Sequence, residues 1–366
     1  MDVQAGSRRA TGAGAVGALV LALTACGGGG DGSGLSGPLP GAGASSQEIA
    51  MTGWLAWMNE NHPDVLVSYD PVGSGTGREM FLNDAVKFAG SDAAMSPEEL
   101  QDGSERCFGG EVVELPLYIS PIAVAYNLPD LGTEHLQLDP VTLAQIFDGQ
   151  ITTWDDPAIA ATNPDVELPS LDIVPVNRSD DSGTTENFTE YLAEAAGDAW
   201  PHEPSETWPI SGTQSGTQTS GVVTTMQAAE GTVGYIDAAQ VTEDLGTVAV
   251  GVGDEFVPFS PEAAAAVVDV SPPSEGATDL RLTIDLARDT AESGTYPIVL
   301  ISYTIACSTY DSERDVENIK TLLTYIASEE GQARAADPSV AGSAPISDAL
   351  RERVNAAIAQ ISAGGA

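Results

Sequence analysis

Basic side chains are scarce in this chain: 13 Lys and Arg stand against 54 Asp and Glu in 366 residues, a formal net charge of −41. Binding DNA or RNA requires clustered cations to neutralise backbone phosphates, and no basic patch is visible, so nucleic acid is excluded as a partner. The same deficit repels small anions. Any anion site must therefore be built locally, from hydrogen-bond donors and one or two buried cations. Histidine is nearly absent too. His62, His135 and His202 each stand beside a proline or an acid, with no cysteine or carboxylate at metal-ligand spacing. No serine sits in a Gly-x-Ser-x-Gly elbow. A metal centre or cofactor is thus not expected. A phosphatase or serine hydrolase working through Ser74 or Ser182 lacks an activating base, and the chain is read as a non-enzyme. Long apolar runs are also missing. The longest, Ala10 to Leu23, is shorter than the ~20 residues a membrane-spanning helix needs, and no later stretch reaches that length.

The N-terminus has the tripartite form of a bacterial secretory signal: Arg8 and Arg9, the small and apolar run, then Leu23-Thr24-Ala25-Cys26. That tetrapeptide resembles a lipobox, in which lipid is attached to the cysteine thiol and cleavage leaves the cysteine first. The reading is a signal peptide over 1–25, a lipidated Cys26, a flexible Gly/Ser tether over 26–37 and an exported body anchored to the cell membrane. Roughly 340 residues then remain, which favours two domains over one. A hydrophobic content of 42% fits a globular fold, and 39 glycines and 23 prolines imply many turns. With Cys26 given to lipid, Cys107 and Cys307 are free to pair in an oxidising compartment, the alternative being two buried thiols.

Apolar spacing predicts an amphipathic helix over 47–61, carrying Ala50, Trp54, Trp57 and Met58, and stopping at His62-Pro63. A strand follows at 65–69, a helix at 77–86 and a strand at 87–90. This βα alternation belongs to an α/β fold with a sheet covered by helices. Two apolar runs between Val112 and Tyr126, broken at Pro116 and Pro121, read as extended chain passing between domains. A strand at 171–177 feeds a helix at 184–195, and Tyr296 to Ala306 reads as a return crossing. Two amphipathic helices close the chain, at 315–335 and 347–362.

Four segments place glycine and small hydroxyl residues just before a helix or just after a strand: Gly41 to Ser46, Gly73 to Gly77, Gly90 to Asp92, and Arg178 to Thr185. Free amides at a helix N-terminus point outward with partial positive charge, and glycine lets the backbone approach an anion closely. Alone, each such segment reads as a helix cap. The Arg178-Ser179-Asp180-Asp181-Ser182-Gly183-Thr184-Thr185 segment adds an arginine fork that can hold two oxyanion oxygens, with Asp180 placed to orient it.

These motifs, written GAGASS, DPVGSGTGR, FAGSDAA, IFDGQITTW and RSDDSGTT, resemble those of the phosphate-binding lipoproteins of ABC-type phosphate transporters, over most of residues 40–345. The resemblance implies a type II periplasmic-binding-protein fold, with residues 38–124 and 292–366 as one lobe and 125–291 as the other. It implies capture of inorganic phosphate by a monomer and delivery to a membrane permease. The ligand shell it implies is Ser45, the Ser46 amide, Ser74, Asp92, Arg178, Ser182, the Gly183 amide and Thr184. Many members follow the first motif with an aromatic residue and a proline, where this chain has Ser46 and Gln47.

Asp92 carries the selectivity expectation. A carboxylate beside an anion is tolerable only where the anion has a proton to donate, as phosphate does at neutral pH. Sulfate, fully ionised, would face it oxygen to oxygen. Sulfate, molybdate or another oxyanion in the same fold is the second reading, and Asp92 as the cap of the helix near Pro97 the structural alternative.

Overall fold

The computed structural model describes residues 35–128 and 131–364. The expected signal peptide, Cys26 and most of the tether lie outside the described residues. The elements run β1 (Gly37–Gly43), α1 (Glu48–Asn61), β2 (Val65–Asp70), α2 (Ser74–Leu82), β3 (Phe88–Ser91), α3 (Pro97–Arg106) and β4 (Val112–Tyr126). Next come β5 (His135–Leu138), α4 (Pro140–Phe147), α5 (Pro157–Thr162), β6 (Val174–Arg178), α6 (Gly183–Ala196), β7 (Gln214–Gly216), α7 (Gln218–Gln227), β8 (Thr232–Asp237), β9 (Gly246–Val252), β10 (Glu255–Pro258) and α8 (Pro261–Val270). The last part is β11 (Val299–Cys307), β12 (Thr309–Tyr310), α9 (Glu313–Ala327), α10 (Glu329–Ala336), α11 (Asp348–Gln360) and β13 (Ser362–Ala363).

β4 organises the sheet. Residues 112–121 pair antiparallel with β11, which joins the group β2-β1-β3, while residues 122–126 pair with β8 and so join the group β8-β6-β7. All 15 residues of β4 are buried, which is why its sequence is an almost unbroken apolar run. The two prolines do not break it. The ladder slips by one residue between Pro116 and Tyr118, leaving Leu117 as a bulge beside the residue that has no N–H to give. The Leu117 carbonyl is taken instead by the Gln332 side chain at 2.9 Å.

β1 lies between β2 and β3 with parallel partners on both sides, despite its sequence GPLPGAG. Gly41, Ala42 and Gly43 are therefore strand, and the turn expected from GAGASS begins only at Ala44. The expected helix over 315–335 is two helices. Ser328 stands in extended geometry between α9 and α10, its Oγ accepting from the Gly331 amide at 3.0 Å, so it caps the second helix and ends the first. The expected helix at 77–86 begins at Ser74 and ends at Leu82, just before Asp84 turns left-handed at φ 55°. In α11 the expected apolar face holds, with Leu350, Val354 and Ile358 buried. Trp54 is fully buried, its Nε1 donating to the Gly331 carbonyl at 2.8 Å, and Trp57 stacks on Tyr325 with ring centroids 3.8 Å apart.

Cys107, just after α3, and Cys307, the last residue of β11, form a disulfide with a Cα–Cα distance of 5.1 Å. It ties together points 200 residues apart. Closing so long a loop restricts the unfolded chain, and losing such a bond costs about 2–5 kcal/mol. The Cys107→Ser/Cys307→Ser variant is expected to unfold about 3–7 °C below the parent in a thermal melt, with the parent alone sensitive to reductant.

Candidate functional site

The expected site residues lie where strands end and helices begin. The turn after β1 carries Ser45 and Ser46, α2 starts at Ser74, Asp92 follows β3, and β6 ends at Arg178 just before α6 starts at Gly183. Ligands of open α/β sheets bind at this edge, the carboxyl ends of the strands. Ser45, Ser46, Ser74, Asp92, Arg178, Ser182 and Thr184 are all at most 4% exposed. None is an ordinary surface turn residue.

Asp92 is the centre of the arrangement. Ser46 Oγ donates to its Oδ1 at 2.7 Å, and Thr184 Oγ1 donates to its Oδ2 at 3.0 Å. Its own amide donates to Ser74 Oγ at 3.1 Å, and Asn187 Nδ2 donates to its carbonyl at 2.8 Å. Burial pushes the Asp92 carboxyl above the usual carboxylate range, and the Ser46 and Thr184 hydroxyls and the Arg178 charge pull it back. Asp92 caps no helix: Ser96 is the N-cap of α3, in a reciprocal capping box with Glu99.

The Arg178 turn approaches from the other group of strands. A Cβ on Gly183 would lie 2.7 Å from Asp92 Cβ and 2.9 Å from Ser74 Oγ, so only glycine allows the α6 start to come this close. Asp180 grips Arg178 through Nε at 2.9 Å and Nη2 at 2.5 Å. Against the desolvation that would raise it, that grip holds the Asp180 carboxyl below its usual range. Ser182 is the α6 N-cap, accepting from the Thr185 amide at 3.2 Å, which leaves its own proton available.

Ser46 differs from the expectation. The resemblance implies a role for its amide alone, whereas its hydroxyl reaches Asp92 directly. Gln47, fully buried, donates to Tyr69 OH at 3.3 Å, and Tyr69 OH donates to the Ala44 carbonyl at 2.9 Å, so the pair supports this turn from behind.

Three further residues enter the site without having been expected. Thr219, at the start of α7, pairs its hydroxyl with Ser45 Oγ at 3.2 Å and donates its amide to the same oxygen at 3.2 Å. Gln240 Nε2 donates to the Ser45 carbonyl at 3.0 Å. Tyr235 OH receives the Arg178 amide at 3.2 Å and meets Thr185 Oγ1 at 2.8 Å, holding both ends of the RSDDSGTT turn. Thr219 had a signal, since Gly216 to Gly221 repeats the glycine and hydroxyl character of the other four turns. The IFDGQITTW motif packs behind the site: Phe147 meets Phe188 and Tyr235 at 4.8 and 6.1 Å between centroids.

The three described histidines serve elsewhere, His62 packing edge-on against Trp57 with ring centroids 5.5 Å apart. His135 Nδ1 meets Thr247 Oγ1 at 2.7 Å and His202 Nε2 meets Asp148 Oδ1 at 2.8 Å. Ser74 and Ser182 receive backbone amides and contact no histidine among the described residues.

This fold and edge-of-sheet site define a solute-binding protein of the periplasmic type. The model of the PBP superfamily domain matches residues 12–330, and the chain belongs to that superfamily. Within it, the chain belongs to the phosphate-binding protein PstS family of ABC transport systems, a binding rather than an enzyme family. It is 33% identical over 308 residues to phosphate-binding protein PstS2 of Mycobacterium bovis BCG, covering 79% of this chain and 82% of that one. It is 29% identical to phosphate-binding protein PstS of Haemophilus influenzae, covering 82% and 86%. The high-affinity periplasmic phosphate-binding protein PfluDING, solved with phosphate bound, superposes with a TM-score of 0.70 at 21% identity over 87% of this chain and 93% of its own. The type II periplasmic-binding fold is thereby shown.

Behind Asp92 lies a second buried carboxylate. Asp237, at the end of β8, receives Tyr118 OH of β4 at 3.1 and 3.2 Å and the Ala239 amide at 2.9 Å. Burial, with the Asp92 charge adding to it, pushes its carboxyl up to about 7. An ordinary Asp in the unfolded chain titrates near ~3.9. The proton on native Asp237 thus stabilises the fold fully below about pH 4, and that contribution is lost as pH rises through about 7. Asp237→Asn, which mimics the protonated acid, is expected to melt above the parent by about 2 °C or more at pH 8. The gain should disappear near pH 4, as measured by thermal melts across that range.

Proposed function

We propose that this chain captures inorganic phosphate outside the cytoplasm and delivers it to the permease of an ABC-type phosphate transporter, with Ser45, Ser46, Ser74, Asp92, Arg178, Ser182, Gly183 and Thr184 as its ligand shell. The observation that carries this is Asp92: a buried carboxylate set among hydroxyl and amide donors, directly against the glycine start of α6. The donors suit an oxyanion. The carboxylate suits one that still carries a proton, since it can accept a P–OH, and it opposes sulfate by like-charge repulsion and an unpaired buried acceptor.

The two strand groups joined by β4 support a reading as two lobes, residues 38–124 and 292–366 against 125–291, closing on the ligand between them. Closure excludes water and strengthens each hydrogen bond at the site. Export and lipidation at Cys26 would hold the protein above the membrane, near the permease. The sequence LTAC supports that anchor.

The test is calorimetric titration with phosphate, then with sulfate. The parent protein is expected to bind phosphate at micromolar or tighter, about −8 kcal/mol or more favourable, and to give no sulfate heat. Asp92→Asn is expected to bind sulfate and to lose discrimination by about 100-fold or more. Equal binding of the two anions by the parent, or unchanged selectivity in the variant, would overturn the role of Asp92.

A further inference from the structure

Arg78 sits one helical turn after Ser74 on α2, on the same face, and is 6% exposed. Its guanidinium donates in two directions. Within its own lobe, Nε reaches Glu99 Oε1 at 2.8 Å and Nη1 reaches Ser91 Oγ at 2.9 Å. Across the cleft it meets Glu206 with a two-pronged fork, Nη1 to Oε1 at 2.9 Å and Nη2 to Oε2 at 2.6 Å. We propose that Arg78 and Glu206 form a closure latch that sets how long the two lobes stay shut over the ligand.

Two features separate a latch from an incidental ion pair. The first is preorganisation: when the lobes part, Arg78 keeps Glu99 and Ser91, so it stays charged, oriented and ready, and only the Glu206 half must be remade. A planar fork on a carboxylate is the strongest geometry available for that step. The second is coupling to the site. The Glu206 carbonyl accepts from the Ser182 amide at 3.1 Å, and Thr207 Oγ1 donates to Asp181 Oδ1 at 2.9 Å. The residue that closes the latch is thus bonded to the turn that grips the anion, and a shift in either moves the other. Arg78 is also the cation that faces the carboxylates gathered here. Glu186 is pushed up to about 7 by burial and then by the charges of Glu206 and Glu190, so Glu206 enters an already acidic neighbourhood and is accommodated there by Arg78.

The pair touches no atom of the ligand shell's selective group, Asp92. It is therefore a positioning pair, and its removal should change dissociation rate without changing which anion is preferred. The inference rests on the phosphate reading for its kinetic readout, but not for its structural one.

The test compares Glu206→Gln with Glu99→Gln, which weakens the same-lobe partner of Arg78 while glutamine can still close the α3 capping box. In stopped-flow measurements, Glu206→Gln is expected to release phosphate about ten-fold faster, with the phosphate-to-sulfate preference unchanged and Glu99→Gln within about two-fold of the parent. In small-angle X-ray scattering of ligand-free protein, Glu206→Gln is expected to be more extended than both the parent and Glu99→Gln. Equal effects of the two variants on dissociation, or no expansion and no faster release in Glu206→Gln, would overturn the latch. A parent that binds no phosphate would instead overturn the phosphate reading, while the scattering comparison would still decide the latch.

Discussion

Burying a carboxylate is expensive, and the site is organised around that cost at Asp92. An ionised group taken out of water must recover its lost hydration from fixed donors or give up its charge. Ser46 and Thr184 supply one hydroxyl to each of its oxygens, from opposite sides of the cleft. Asn187 takes the backbone carbonyl of the same residue. The donors come from the turn before α1 and from α6, with Ser74 of α2 accepting the Asp92 amide, so the arrangement exists only when both strand groups are in register. Asp92 is served by both hydroxyls only where the two strand groups meet.

That register is held by β4 and β11. The two strands pair along 112–121 and 299–307, and the disulfide fixes one end of this pairing. At the other end β4 leaves β11 for β8, and Tyr118 of β4 meets Asp237 of β8 where the two groups join. The turns at the sheet's edge thus stand on one continuous strand that both groups share. A site assembled from five separate turns can be accurate only with such a frame beneath it. The contacts of Thr219 and Gln240 with Ser45 on one flank, and of Glu206 with Arg78 on the other, join the two strand groups on either side of Asp92.

Much of this was legible in the sequence where the physics is local. A glycine and a hydroxyl at a helix start announce themselves within a few residues, and the turns at Ser45, Ser74, Asp92 and Ser182 were read in this way. The Ser328-Glu329-Glu330-Gly331 run is also a local capping signal, but it lies inside an apolar periodicity strong enough to be read straight through. β1 shows the reverse case. Glycine and proline argue against a strand, and the neighbours β2 and β3, supplying partners on both sides, override them. What stayed hidden depends on distant pairing: Tyr235 reads as one more buried strand residue, Glu206 as one more acid in a proline-rich loop, and Ser46 as a small residue where an aromatic was expected.

The strong acidity of the chain and the capture of an anion are reconciled by how Arg178 is used. Two of its five N–H groups are committed to Asp180, whose carboxylate cancels most of its charge at a distance. What remains is a set of donors in a fixed plane, acting over hydrogen-bond distances and invisible beyond them. The helix starts at Gly183 and Ser74 act in the same short-range manner. An anion is thus held by directed donors and not by a positive field, which leaves the surface free to be as acidic as solubility favours. A site built on net charge would take the more highly charged oxyanion first. On the proposed ligand shell, one built on hydrogen bonds, with Asp92 as its one carboxylate, would rank anions by whether they carry a proton.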